Sequence, residues 1–307
     1  MIRHDDPFYI FNQKLMSDTF DNESHKYEEF SKCIWDFYKT YGRTFMWRHN
    51  VNPYVVLVSE IMLQQTQTQR VSIKLPEFLA KFPNFKVLAD STPQELFQAW
   101  VGLGYNRRAL ALRTTAQKII QDYAGALPND PEILKTFPGI GPATAASITA
   151  FAYNRPTIFI ETNIRAVYLH VFFHGQQGIT DAQLLPHIQA TVDEVNPRDW
   201  YYALMDYGVY IKKTYPNPSR ASRHHTAQSK FEGSNRQIRG AVIRLLTEAD
   251  SESAISDLPA QLRAMYGGSL ERIELILDQM CQQELIMLTK AGYSFFHETK
   301  IKLKNLE

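Results

Sequence analysis

Pro53-Tyr54-Val55-Val56-Leu57-Val58-Ser59-Glu60-Ile61-Met62-Leu63-Gln64-Gln65-Thr66 is the stretch on which the fold turns. Tyr54, Leu57, Val58, Ile61 and Met62 recur at the spacing of one helical face, so the run reads as a largely buried helix and not as a strand. Pro53 stands where a helix start tolerates proline, because the first-turn amide has no acceptor within the helix. A carboxylate, Glu60, interrupts the apolar run. From the residues alone three readings stay open: Glu60 projects from a surface helix, it pairs with an arginine, or it is partly desolvated and holds a proton near neutral pH. The third would make it a general acid.

Outward from this helix, strand signals are almost absent between residues 27 and 215, which predicts a mostly helical domain. Upstream, Phe30, Cys33, Ile34, Phe37 and Tyr38 line one face of a helix between Tyr27 and Tyr41, followed by an aromatic and basic loop, Gly42 to Arg48. Downstream, Pro83, Pro93, Gly102 and Gly104 separate short helices, one of them opening at Pro93 with Thr92 as N-cap and Glu95 in the first turn. The first 30 residues are acidic and irregular apart from an aromatic patch at Phe8 to Phe11, and residues 1–26 read as an N-terminal extension.

A length of 307 residues with 44% hydrophobic content predicts about two domains. The net charge of +1 does not by itself announce a nucleic-acid partner, so the distribution of charge matters more. Between Lys212 and Arg244 eight basic residues face one acid, Glu232. Such a run is either a solvated face or a set of phosphate contacts. The two cysteines, Cys33 and Cys281, lie too far apart to make a metal motif by spacing and fit a reduced cytosolic protein. Met1 to Asp6 carries no apolar signal core, and no run approaches the ~20 apolar residues that span a bilayer. A soluble cytoplasmic protein without membrane contact is expected.

The segment after the Tyr215 to Ser219 turn divides into a basic linker, 216–234, and a C-terminal module, 235–307. In that module Arg236 to Leu246, Ala254 to Met265 and Ser269 to Glu284 read as helices. Leu285 to Leu288 and Tyr293 to Phe296 read as a β-hairpin. Three helices and a hairpin predict a winged-helix-like α+β arrangement, a scaffold that suits DNA binding or protein docking.

Two further motifs carry chemistry. Leu134-Lys135-Thr136-Phe137-Pro138-Gly139-Ile140-Gly141-Pro142-Ala143-Thr144-Ala145-Ala146 is a helix end, a Pro-Gly-apolar-Gly turn and a new helix. Both glycines are expected to permit backbone shapes closed to other residues, and exposed amides there can hold a phosphate without regard to base sequence. In Phe159-Ile160-Glu161-Thr162-Asn163-Ile164 a polar trio opens what reads as a helix. Glu161 or Thr162 is either a plain cap or a site residue, and the helix N-terminus is expected to keep Glu161 ionised.

Taken together, S-E-I-M-L-Q-Q-T, G-L-G-Y, the P-G-I-G hairpin, the acidic-x-Asn motif and Met205-Asp206-Tyr207-Gly208 resemble the helix-hairpin-helix DNA glycosylase superfamily. Ser59 to Thr66 is similar to the adenine DNA glycosylases, the MutY family, and the likeness runs from about Phe45 to Ile211. It implies a glycosylase core over 27–215, built of two helical subdomains. By resemblance, Glu60 is the catalytic acid that protonates the departing purine. Glu161 stands where the family has an aspartate that stabilises the sugar cation, with Asn163 beside it. Gln64, Gln65, Thr66, Leu103 and Tyr105 enter or line the opened duplex, and Gly139, Gly141 and Thr144 belong to the phosphate-binding hairpin. Bifunctional relatives carry a lysine where this chain has Ala143, which implies base removal without strand cleavage.

Three departures shape the expectation. Glu161 is one methylene longer than the family's aspartate, and misplacing a catalytic group by about 1 Å can cost ~100-fold. Lys212 falls where the first of four iron-sulfur cysteines belongs, so no such cluster is expected, and no cofactor beyond a monovalent cation at the hairpin. Arg220, Arg223, His224 and His225 are expected to take over the cluster loop's DNA contact. Adjacent histidines without further ligands do not make a zinc site, and no metal is assigned. Residues 235–297 do not match the family's usual C-terminal domain that reads 8-oxoguanine. The expectation is a monofunctional, monomeric, nucleoid-associated glycosylase acting on double-stranded DNA, with adenine opposite 8-oxoguanine or guanine as its target. The alternatives are a glycosylase for another alkylated, deaminated or crosslinked base, or a non-catalytic DNA-binding protein on this scaffold.

Overall fold

The computed structural model describes residues 22–223, 230–249 and 254–296; the aromatic patch at Phe8 to Phe11 and the pair His224 and His225 lie outside them. In chain order the helices are α1 (Glu23–Tyr41), α2 (Met46–His49), α3 (Pro53–Leu63), α4 (Thr68–Lys81), α5 (Phe85–Ala89), α6 (Pro93–Trp100), α7 (Arg107–Asp122) and α8 (Pro131–Leu134). They continue as α9 (Pro142–Tyr153), α10 (Thr162–Phe172), α11 (Asp181–Thr191), α12 (Pro197–Thr214), a 3-10 turn at Pro218–Ala221, α13 (Asn235–Glu248), α14 (Leu258–Tyr266) and α15 (Leu270–Gln282). One antiparallel pair, β1 (Ile286–Thr289) and β2 (Gly292–Phe295), completes the described residues. The fold is mostly α, as the sequence predicts. Among the described residues no helix is long and apolar enough to cross a membrane.

The chain divides into two compact units, each assembled from separate stretches: 1–56, 129–135 and 141–227 in the first, 57–128, 136–140 and 228–307 in the second. In the first unit the core is aromatic. Phe30, Phe151, Tyr168, Trp200, Tyr201 and Tyr207 are all but inaccessible, and α12 packs against both α10 and α1. Asn22 starts α1 by accepting from His25 N–H at 2.8 Å. Pro142 opens α9 and Asn154, left-handed at φ 51°, closes it, the usual asymmetry of helix ends. The loop ahead of α2 is fastened to α12 by charge: buried Asp206 accepts from Arg43 Nε at 2.6 Å and from both Arg48 Nη atoms at 2.8 Å.

In the second unit α6 carries the predicted N-cap Thr92, which with Glu95 forms a capping box. Its apolar face meets α7 and α13, and Phe97 stacks on Phe295 with centroids 5.2 Å apart, so the C-terminal hairpin rests on this helix. The winged-helix-like arrangement of three helices and a hairpin is present. The second of those helices starts at Leu258 and not at Ala254, because Pro259 suits a helix's first turn. Ile255 instead pairs with Tyr293 and extends the hairpin by one bridge.

Candidate active site and nucleic-acid interface

α3 is buried on almost every side: Tyr54 to Ser59, Ile61 and Met62 are all inaccessible, while Glu60 alone within that run is half-buried. Asn52 Oδ1 accepts from Tyr54 N–H at 2.9 Å and fixes the start of the helix. The other end presents carbonyls that have no amide partner within the helix. Arg108 supplies it. Its Nη1 donates to the carbonyls of Ile61, Met62 and Gln64 at 2.8, 3.0 and 2.5 Å. Its Nη2 donates to Thr66 Oγ1, Leu103 O and Gly104 O at 3.1, 3.1 and 3.0 Å. One guanidinium thus holds the Gln64-Gln65-Thr66 turn against the Gly102-Leu103-Gly104-Tyr105 turn. Burial pushes its pKa down to about 10, and Trp100 and Tyr105 flank it at 5.5 Å.

Two of the residues expected at the duplex, Gln65 and Tyr105, are exposed and sit in left-handed backbone, φ 54° and 48°. For residues other than glycine that conformation costs free energy, and it persists where surrounding contacts impose it, as the Arg108 bonds do here. Leu103 corrects the sequence expectation. Its side chain is buried, so it serves packing while its carbonyl serves Arg108. Sequence reading did not find Arg108, although a helix end followed by two glycine-bearing turns requires a donor from elsewhere.

The hairpin turn is tied to the same place: Gln64 Nε2 donates to Gly139 O at 3.1 Å, and Thr115 Oγ1 donates to Pro138 O at 3.3 Å. Gly139 has φ +77°, and a Cβ there would meet Ala111 Cβ at 2.9 Å. Gly141 is different, which corrects the expectation that both glycines are conformationally required. It is the N-cap of α9 at φ −84°, ψ 173°, with open space around it. Gly139, Gly141, Pro142 and Ala143 are exposed and Thr144 is half-buried, so the start of α9 faces solvent.

Glu161 caps α10. Its Oε1 accepts from the Asn163 and Ile164 amides at 2.6 and 2.8 Å, and Oε2 accepts from Asn163 Nδ2 at 3.2 Å. The cap is as expected, but burial works against its charged form. Burial raises the Glu161 pKa above the ordinary value of 4.5, against the pull of those amides and of Lys212. The helix end stabilises the carboxylate less than desolvation penalises it. Lys212 is itself half-buried on α12, where burial lowers its pKa and Glu161 opposes that. One helical turn earlier on the same face, Gly208 lies against the Asn163 backbone so closely that no Cβ fits. That contact seats α12 against the cap.

Arg220 and Arg223 are exposed on the loop where a cluster would be held, and Arg223 N–H bonds Ile179 O at 3.0 Å. The family's iron-sulfur group does not fit this chain. The family's cluster is held by four thiolates, and the sequence has two cysteines, Cys33 buried beside Tyr207 in the first unit and Cys281 in the second.

Residues 58–189 match the family described as HhH-GPD superfamily base excision DNA repair protein. The adenine DNA glycosylase of Mycobacterium tuberculosis (strain CDC 1551 / Oshkosh) is 30% identical over 239 residues, which cover 70% of this chain and 77% of that protein. The adenine DNA glycosylase of Mycolicibacterium smegmatis is 27% identical over 81% of this chain and 90% of its own length. Among solved structures, that of a thermostable thymine-DNA glycosylase is 25% identical with a TM-score of 0.57, covering 64% of this chain and 93% of its own.

Proposed function

This chain belongs to the HhH-GPD superfamily of base excision DNA repair glycosylases, and from that membership we propose that it excises adenine mispaired with 8-oxoguanine or guanine. DNA is its partner and N-glycosidic bond cleavage its chemistry. The observation that carries the finer reading is a half-buried acid, Glu60, in the buried helix α3, followed by a Gln-Gln-Thr turn that Arg108 fixes.

In the reaction proposed here the bond from the sugar to the purine breaks, the bonding electrons leave with the base, and Glu60 protonates a ring nitrogen of that base. Water then adds to the sugar carbon and gives up its proton, regenerating the acid. Glu161 offsets the positive charge that develops on the sugar. In the free protein burial raises its pKa, against the hydrogen bonds of the helix amides and the pull of Lys212. Its carboxylate charge is favoured most when a cation forms beside it, so it stabilises that state more than the resting one. With Ala143 in place of a lysine there is no amine at that position to form a Schiff base, and the strand stays intact. Arg220 and Arg223 provide backbone contacts in place of a metal cluster.

A second reading, excision of another base, is favoured by Glu161 in place of an aspartate and by the likeness to a thymine-DNA glycosylase structure. A panel of duplexes with one test base each separates the two: adenine opposite 8-oxoguanine or guanine, thymine or uracil opposite guanine, and an alkylated purine. The proposal expects free adenine from the first pair, and strand breaks only after alkali treatment. Intact adenine mismatches alongside release of another base would overturn it.

A further inference from the structure

In the first unit Lys212 bears on the Glu161 cap, and the reaction proposed above leaves it without a task. Glu161, Asn163 and Lys212 are all half-buried, sheltered from solvent without being sealed off. The close contact of Gly208 with the Asn163 backbone sets the spacing of α12 against the cap, and Lys212 follows one helical turn later on the same face. At the cap Glu161 Oε1 accepts from two amides at 2.6 and 2.8 Å, while Oε2 accepts from Asn163 Nδ2 at 3.2 Å. A carboxylate oxygen takes about two hydrogen bonds and an ammonium carries three donors, so Oε2 has room for a further one. Burial works against charge on both side chains, and each supports the other: Lys212 pulls the Glu161 pKa down, and Glu161 pulls that of Lys212 up. The neighbouring charges are engaged elsewhere. Arg43, which opposes Lys212, gives its Nε to Asp206 at 2.6 Å, and Arg165, at the same end of α10, gives an Nη to Asp181 at 2.8 Å.

A glutamate has one more rotatable bond than an aspartate, so a helix cap alone leaves its carboxyl less fixed. A desolvated carboxyl also ionises less readily unless a counter-charge stands near. We propose that Lys212 is a positioning residue for base release: its ammonium keeps the longer Glu161 side chain charged and turned toward the sugar, so that the two work as a matched pair. The inference rests on the proposed task of Glu161 at the sugar cation. An ammonium so near also opposes that cation, so it helps only where the acid's charge needs support, and burial creates that need.

The test follows single-turnover base release by the full chain, at saturating protein, across the acid and neutral pH range. The duplex is whichever one the base panel shows to be turned over, so failure of the adenine assignment does not affect it. Lys212→Met keeps the apolar stem and removes the charge. It should move the acid limb of the profile up by about one pH unit, which slows release about 10-fold on that limb and less above it. Lys212→Arg keeps the charge and should restore the wild-type limb, and in a Glu161→Gln background the methionine should shift nothing. A second arm, thermal melting, needs no base release. Without the lysine the folded-state pKa of Glu161 rises further, so Glu161→Gln should raise the neutral-pH melting midpoint more in the Lys212→Met background than in the wild type. The two gains should converge as pH falls below about 4.5. An acid limb that stays in place in Lys212→Met overturns the inference, as does one that moves equally in Lys212→Arg or persists without the Glu161 carboxyl. So does a Glu161→Gln gain that is the same with and without the lysine.

Discussion

Arg108 and Glu161 are the two residues where burial of charge and the proposed function meet. Arg108 satisfies six acceptors at the end of α3 and in the facing turn. Arg108→Met leaves several of them partly buried without a donor and should cost about 3 kcal/mol or more, read from the urea midpoint at constant slope. Arg108→Lys should not restore it, because an ammonium cannot span both turns. A cost below about 1 kcal/mol would mean that the turns are held by other contacts. For Glu161 the sign follows from its raised folded-state pKa. The folded protein holds this proton to higher pH than the unfolded chain, so wild-type stability falls as pH rises from about 4.5 through the folded-state value. Glu161→Gln, which keeps an acceptor for the helix amides, should therefore raise the melting midpoint at neutral pH. The gain should vanish as pH falls below about 4.5. A variant less stable at pH 7 and equal at pH 4 would reverse the assignment, and base release should fall in either case.

At the scale of elements the hairpin turn separates what glycine is needed for from what it merely accompanies. Gly139→Ser should cost about 1–3 kcal/mol, for left-handed backbone and for the contact with Ala111. Gly141→Ser should be neutral or stabilising, because serine is a better helix cap in extended backbone. Paired melting curves check this, and equal losses in both would contradict it. Both glycines looked alike in P-G-I-G; the sign of φ lies in the coordinates and not in the motif. The helices themselves were legible. The face of Tyr54, Leu57, Val58, Ile61 and Met62 gave α3, and Thr92 with Glu95 gave the start of α6. Neither Arg108 nor Lys212 was legible as a site residue, because each acts on groups distant in sequence: Arg108 on carbonyls more than 40 residues upstream, Lys212 on Glu161. Glu161 was legible as a cap but not in the direction of its pKa shift, which depends on how deeply its carboxyl is buried.

For the whole molecule, the two units share the proposed tasks: the first carries Glu161, Asn163 and the loop of Arg220 and Arg223, the second carries Glu60, the Arg108-bound turns and the C-terminal module. A net charge of +1 conceals a local excess, since eight basic residues gather against one acid between Lys212 and Arg244. With two cysteines in the chain, dialysis against an iron chelator should change neither the melting midpoint nor base release; loss of either would point to a metal held by other ligands. The most direct measurement is single-turnover adenine release from a duplex with adenine opposite 8-oxoguanine, with wild-type protein and Glu60→Gln at concentrations that saturate the DNA. The variant should bind the duplex as the wild type does and release adenine at least about 100-fold more slowly, the smallest loss expected when a general acid is removed. Release at the wild-type rate by Glu60→Gln would contradict the assignment of Glu60 as the acid.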